Sequence, residues 1–208
     1  MEGLIGRKIG MTQVYDEGGR RTCVTVIEVG PCPVVQVKSK DKDGYDAVQV
    51  GFEAQKPQRL TKAVRTRFEK AGVAPCRTLR EFDAEGDAVK VGDTLTVGVF
   101  DGVKLVDVTA TTKGKGFAGV MRRYGMGGGP MTHGGHSKRR IGSIGERDLP
   151  GWIAKGKRMP GHMGAVQRTA RNLAVVQVRK DDNVLLVRGA VPGPAGATVI
   201  VRKALKKA

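Results

Sequence analysis

The chain has 208 residues, with 37 Lys and Arg against 20 Asp and Glu and a formal net charge of +17. Few soluble enzymes carry such an excess, because self-repulsion opposes compactness unless a polyanion neutralises it. The hydrophobic content of 39% is too high for a wholly disordered basic tail, and the aromatic content of 4% argues against a protein that stacks many single-stranded bases.

The length permits one or two domains with a buried core. The opening MEGLIGRKIGMTQ has an early acid and no continuous apolar stretch, so it does not read as a secretory signal. No apolar run approaches the roughly 18 residues of a membrane span. Thr22 to Val29 alternates and is rich in β-branched residues, which predicts a half-buried strand. Val34 to Lys38, Ala47 to Phe52, Thr94 to Phe100 and Val103 to Thr109 repeat the pattern, with Gly30-Pro31 and Gly92-Asp93 as punctuation. A helix is expected from Lys62 to Ala71, with Thr61 as N-cap, Gly72 just past its end and Pro75 as a stop. Phe117 to Tyr124 is expected to make two helical turns. Towards the C-terminus, Leu173 to Val178, Val184 to Arg188 and Thr198 to Arg202 read as strands, the first two joined by a hairpin turn at Asp181-Asp182-Asn183. Many short strands separated by turns predict a small barrel or sandwich. Cys23, Cys32 and Cys76 match neither a disulfide framework nor a zinc site and imply a reducing, cytosolic setting. Cys23, inside an alternating run, is expected to act as a small core hydrophobe.

The charge is concentrated. Thr112 to Asn172 holds thirteen basic residues against Glu146 and Asp148, which is +11 of the total +17, together with all three histidines and fifteen of the 31 glycines. From Gly125 to Gly164 no apolar periodicity persists, and a structureless segment of that length within a compact domain is unusual. It reads as a basic loop that leaves the body and is ordered by a partner. The scarcity of acids removes internal ion pairing as the reason for the charge, so the partner is a polyanion, with RNA or DNA the obvious choice. The expected mode is recognition of RNA backbone and shape, because no sequence-reading module is evident. Trp152, the single tryptophan, lies within this loop and is expected to contact RNA or a partner.

Other chemistries are poorly supported. Gly114 to Gly119 matches G-x-G-x-x-G, but the first downstream acid is Glu146, too far away for a ribose contact. His133-Gly-Gly-His136 lacks further metal ligands nearby, and no nucleophile motif is present, so neither a metal site nor a catalytic residue is expected. The alternatives are an RNA chaperone or translation factor with a similar barrel and, remotely, a dinucleotide-binding enzyme.

The stretch from Phe100 to Arg123 reads F-x6-D-x2-A-x-T-x-G-K-G-x2-G-x3-R. It resembles the signature of the universal L-three family of large-subunit ribosomal proteins. Gly3 to Gln13, Gly30-Pro31-Cys32, Lys155 to Gly164 and Leu185 to Gly193 extend the resemblance, in its bacterial form, over nearly the whole chain. The resemblance implies a mainly β fold, with a translation-factor-like β-barrel body at 1–110 and 166–208. It also implies a small α/β insertion at about 55–92 and a long basic Gly-rich extension at 111–165. It implies a structural role in the large (50S) subunit, binding 23S rRNA near its 3′ end early in assembly, in the cytoplasm. The neighbours implied are the proteins L fourteen and L nineteen, and no cofactor is implied beyond Mg²⁺ as an rRNA counterion.

Charge and resemblance together give the candidate rRNA-binding residues. They are Lys113, Lys115, Arg122, Arg123, His133, His136, Lys138, Arg139, Arg140, Arg147, Trp152, Lys155, Lys157, Arg158, His162, Arg168 and Arg171. By resemblance, Lys113, Lys115, Arg122 and Arg123 lie where the extension leaves the body. The tip that approaches the peptidyl transferase centre includes Ser143, Ile144, Gly145, Glu146, Arg147 and Asp148. Many bacterial members carry a methylatable Gln just after the Ser-Ile-Gly of the tip. This chain has Glu146, so glutamine methylation is not expected there.

Overall fold

The computed structural model describes residues 1–16, 18–83 and 89–205. The chain forms two compact units, Met1–Thr111 with Gln167–Ala208, and Thr112–Val166. Its strands are β1 (Gly3–Tyr15), β2 (Arg21–Val29), β3 (Cys32–Lys38), β4 (Ala47–Ala54), β5 (Cys76–Phe82), β6 (Thr94–Leu95), β7 (Leu105–Thr111), β8 (Phe117–Ala118), β9 (Gly161–His162), β10 (Gln167–Arg179), β11 (Val184–Arg188) and β12 (Thr198–Lys203). The helices are α1 (Lys40–Asp43), α2 (Lys62–Ala71) and α3 (Val120–Tyr124).

The first unit is built on a closed antiparallel barrel of order β1-β12-β7-β10-β11-β2, so the expected mainly β barrel is present. Closure leaves no free sheet edge in the barrel. Alternation fills its interior: Val106 and Val108 of β7, Val199 and Val201 of β12, and Leu185 and Val187 of β11 are all buried. Those side chains belong to one core with Val34, Val48, Val50, Phe82 and Phe100, which joins the barrel to the second sheet.

That sheet has the order β5-β4-β3-β6, with α2 packed against it. Phe68 of α2 is buried with Val35 and Cys76. The helix spans the predicted residues and ends at Gly72 in the left-handed region (φ 65°), but the Thr61 side chain makes no capping hydrogen bond. The sheet is wider than the insertion expected at about 55–92, because β3, β4 and β6 lie outside those limits. Their alternation is the same as that of a barrel strand, so sequence pattern does not separate the two sheets.

Two further differences have local causes. The run Thr94 to Phe100 gives only two strand residues before a 3-10 turn at Val97–Phe100, in which Val97 and Phe100 turn the same way and are buried. Cys23 is exposed rather than part of the core. It sits opposite Gln13, where β1 and β2 run on beyond the part of the barrel that buries Leu4, Ile5 and Ile27.

The sequence pattern does not mark β1, and its glycines explain why. A Cβ on Gly6 would lie 2.4 Å from the Glu28 carbonyl oxygen, and one on Gly3 would lie 2.3 Å from that of Val201. Close strand approach requires glycine at both positions, and this erases the alternating side-chain pattern. Lys8 on the same strand is 8% exposed, and its ammonium donates to the carbonyls of Val191 (2.7 Å) and Gly193 (3.1 Å). A buried charge needs such partners, and these tie the loop after β11 to β1.

Candidate nucleic-acid interface

The chain leaves the barrel at the end of β7 and returns at the start of β10, where Gln167 pairs with Thr111. The second unit, between them, carries eleven Lys and Arg against Glu146 and Asp148. Among the described residues it has no helix or strand between Gly125 and Pro160, so the absence of regular structure read from the sequence is present here.

The base of this unit is a hydrogen-bonded stem. The Thr112 amide donates to the Val166 carbonyl at 2.9 Å. The Lys115 amide donates to Met163 at 2.8 Å, and the Met163 amide donates back to Gly116 at 2.9 Å. β8 and β9 then pair through Phe117↔His162 and Ala118↔Gly161. Ala118 and Val120 are buried beneath this pairing. α3 covers only five of the eight residues expected to be helical, since Phe117 and Ala118 are drawn into β8 instead.

Arg123 closes the stem. Its Nη1 donates to the Met159 carbonyl at 2.7 Å, and its guanidinium lies 5.0 Å from the centre of the Tyr124 ring. The Arg158 guanidinium approaches the same ring at 5.8 Å. These are cation–π contacts at ordinary range. A Cβ on Gly161 would fall 2.8 Å from Arg123 Nη1, so a larger residue there would displace the guanidinium from this position.

The other basic side chains are available. Among the described residues, those of Lys113, Lys115, Arg122, Lys138, Arg139, Arg140, Lys155 and Lys157 have no hydrogen-bond or ion-pair partner, and all eight residues are exposed. His133, His136 and His162 are exposed too. His136, Lys138 and Arg139 line a cavity of about 440 Å³ with Gly134 and Gly135. Arg168 and Arg171 are separate from this group, lying on β10 of the barrel with exposed side chains.

Ser143 to Trp152 is exposed throughout, with Leu149 at 82% and Trp152 at 71%. Arg147 stands 3.9 Å from Asp148 in a fully solvated pair worth little.

The remaining motifs find no supporting geometry. Gly114 to Gly119 leads into the two-residue β8 and the five-residue α3, whereas a dinucleotide site needs a parallel strand and a full helix. Among the described residues, no three His, Cys, Asp or Glu side chains come together as a metal-binding group.

The family model described as "Ribosomal protein L3" matches residues 77–185. A protein of Magnetococcus marinus named "Large ribosomal subunit protein uL3" is 49% identical over 207 residues, covering 99% of this chain and 97% of its own. The proteins of the same name from Brachyspira pilosicoli and Corynebacterium jeikeium are 46% and 47% identical over 208 residues, each covering 95% of its own chain and 100% and 99% of this one. The chain belongs to the ribosomal protein L3 family. The G-K-G turn of the family-like signature, Gly114-Lys115-Gly116, is thus the entry to the stem, where the Lys115 amide and the Gly116 carbonyl both bond to Met163.

Proposed function

We propose that this chain binds 23S rRNA near its 3′ end, helps to nucleate assembly of the large subunit, and sends its extension towards the peptidyl transferase centre. Membership of the L3 family carries the coarser statement: the chain is a structural constituent of the large ribosomal subunit, cytoplasmic in bacteria, and not an enzyme. Among the described residues, no helix is long and apolar enough to cross a membrane.

The observation that carries the RNA reading is the unpartnered charge of the second unit. Eight exposed Lys and Arg side chains have no internal partner, and the stem that carries three of them, Lys113, Lys115 and Arg122, is already hydrogen bonded. Phosphate contacts satisfy such groups and release counterions from the RNA. A stem ordered in advance lowers the conformational entropy lost on binding. In this reading Lys113, Lys115, Arg122, Lys138, Arg139, Arg140, Lys155 and Lys157 contact phosphates, while His133, His136 and His162 donate to phosphate or pack on sugar. Arg123 and Arg158 hold Tyr124 and the stem, and Trp152 offers its exposed ring to bases or to a neighbour. Arg168 and Arg171, on the barrel, contact phosphates as well. Mg²⁺ enters only as a counterion of the RNA, helping Arg147 to offset Glu146 and Asp148 at the tip. The proteins L fourteen and L nineteen are the proposed neighbours.

Co-sedimentation tests this reading. After a moderate-salt wash the chain should remain with large subunits at one copy each. Release into the supernatant, or partition with small subunits, overturns it.

A further inference from the structure

Beyond Lys8 the ribbon of β1 and β2 has an open side. The Lys8 amide donates to the Ala197 carbonyl at 3.0 Å, and the Lys8 carbonyl accepts from the Gly196 amide at 2.7 Å. The pairing of β1 with β12 stops at Arg7↔Thr198, whereas its pairing with β2 runs on to Tyr15↔Arg21. The Cys23 carbonyl accepts from the Gly189 amide, so Cys23 turns its backbone groups away from β1. Gln13, directly opposite, is then a non-hydrogen-bonded partner of Cys23, and its own N–H and C=O face outward. The period of two gives Met11 and Tyr15 the same direction. Among the described residues, no backbone group bonds to this outer row.

An open strand edge is a template for pairing, and proteins ordinarily block it with Lys, Pro or a covering loop. Ile9 to Tyr15 contains no charged residue and no proline, in a chain of which 27% is charged. Ile9, Met11 and Tyr15 are exposed along it. The row offers alternating donors and acceptors, which is the complement of an extended polypeptide. RNA is a poor occupant, because no Lys or Arg lies between Ile9 and Tyr15 to receive its phosphates. A second copy is disfavoured by the net charge of +17 on each chain. The Arg21 side chain, across from Tyr15, has no partner among the described residues, and it marks the end at which the guest strand carries an acid.

We propose that the outer edge of β1, from Ile9 to Tyr15, takes an extended segment of a second protein as an added strand. The guest sets apolar side chains against Met11 and Tyr15 and an acid beside Arg21. The site lies outside the basic extension and uses none of the residues assigned to RNA.

The test uses the full chain assembled into large subunits, with benzoylphenylalanine in place of Met11 in one preparation and of Tyr15 in another. Irradiation should attach both positions to the same second protein, in a product that survives ribonuclease. The two attachment points should lie about four residues apart in one segment, the spacing that strand pairing imposes. Gln13→Pro deletes an outward donor and no donor of the β1–β2 ladder, while Met11→Lys places a charge on the edge. Each should lower the yield from position 15 roughly fivefold, and Met11→Lys should leave the unfolding midpoint of the free chain unchanged. A product lost on ribonuclease treatment would assign the edge to RNA, and attachment to another copy of this chain would assign it to self-association; either overturns the proposal. Attachment points scattered over several proteins, no product at all, or yields that neither variant lowers overturn it too.

Discussion

Arg123 Nη1 donates to the carbonyl oxygen of Met159 at 2.7 Å, joining two points 36 residues apart across the base of the basic unit. An arginine that reads by sequence as an RNA contact is therefore also the clasp of the stem. Arg123→Ala should cost the stem about 1 kcal/mol and speed exchange of the Lys115 and Met163 amides roughly fivefold. Gly161→Ala should do the same by displacing the guanidinium, since its Cβ would fall 2.8 Å from Nη1. Hydrogen exchange of the free protein checks both variants. In the parent chain, amides from Gly125 to Pro160 should exchange quickly while those of Thr112, Lys115 and Met163 are protected.

The shared core predicts a sharp contrast between two phenylalanines. Phe100 is fully buried where the barrel meets the sheet, whereas Phe117 in the stem is 79% exposed. Phe100→Ala should cost about 3–5 kcal/mol, and Phe117→Ala about 0.5 kcal/mol or less. Urea unfolding followed by circular dichroism measures both.

Lys38, Tyr45 and Glu81 form a small network on the second sheet. Lys38 Nζ is 2.8 Å from Glu81 Oε1, and the Tyr45 hydroxyl donates to Glu81 Oε2 at 2.7 Å. The hydrogen bond from Lys38, followed by that from Tyr45, holds the Glu81 carboxyl below its ordinary value of 4.5, while Glu81 raises Lys38 above its own. A depressed carboxyl stabilises the fold above its unfolded pKa and loses that contribution as the pH falls through the folded value. Glu81→Gln should therefore lower the urea midpoint at pH 7, with the difference from the parent vanishing below the usual carboxylate range. The Lys38 contribution runs the other way: it is present below pH 10.5 and lost as the pH rises through the raised value.

The three thiols should differ in reactivity. Burial pushes Cys32 up to about 12 and also raises Cys76, whereas Cys23 is exposed. A thiolate reagent at pH 8 should modify one thiol per native chain and three after unfolding. Cys23→Ser should abolish the native reaction.

How far the sequence reveals this structure depends on what each residue does locally. α2 and β11 match their predicted bounds because an apolar periodicity and a turn signal coincide at both. β1 is hidden by Gly3, Gly6 and Lys8, each chosen for a strand neighbour or a distant carbonyl rather than for alternation. Cys23 follows the strand period, but the sequence does not say that the β1–β2 ribbon outruns the barrel. The basic extension is legible because charge density needs no tertiary information. The Arg123–Met159 clasp is not, since a backbone acceptor leaves no mark in the sequence.

The most direct test of the account is the salt dependence of 23S rRNA binding by the intact chain. Eight unpartnered basic side chains in the extension predict that log affinity falls against log salt with a slope of magnitude about five to seven. That slope should shrink by about three when Lys138, Arg139 and Arg140 are all changed to Gln. A slope of magnitude below about two, or one that the triple change leaves untouched, would contradict the claim that the unpaired charge of the extension carries the binding.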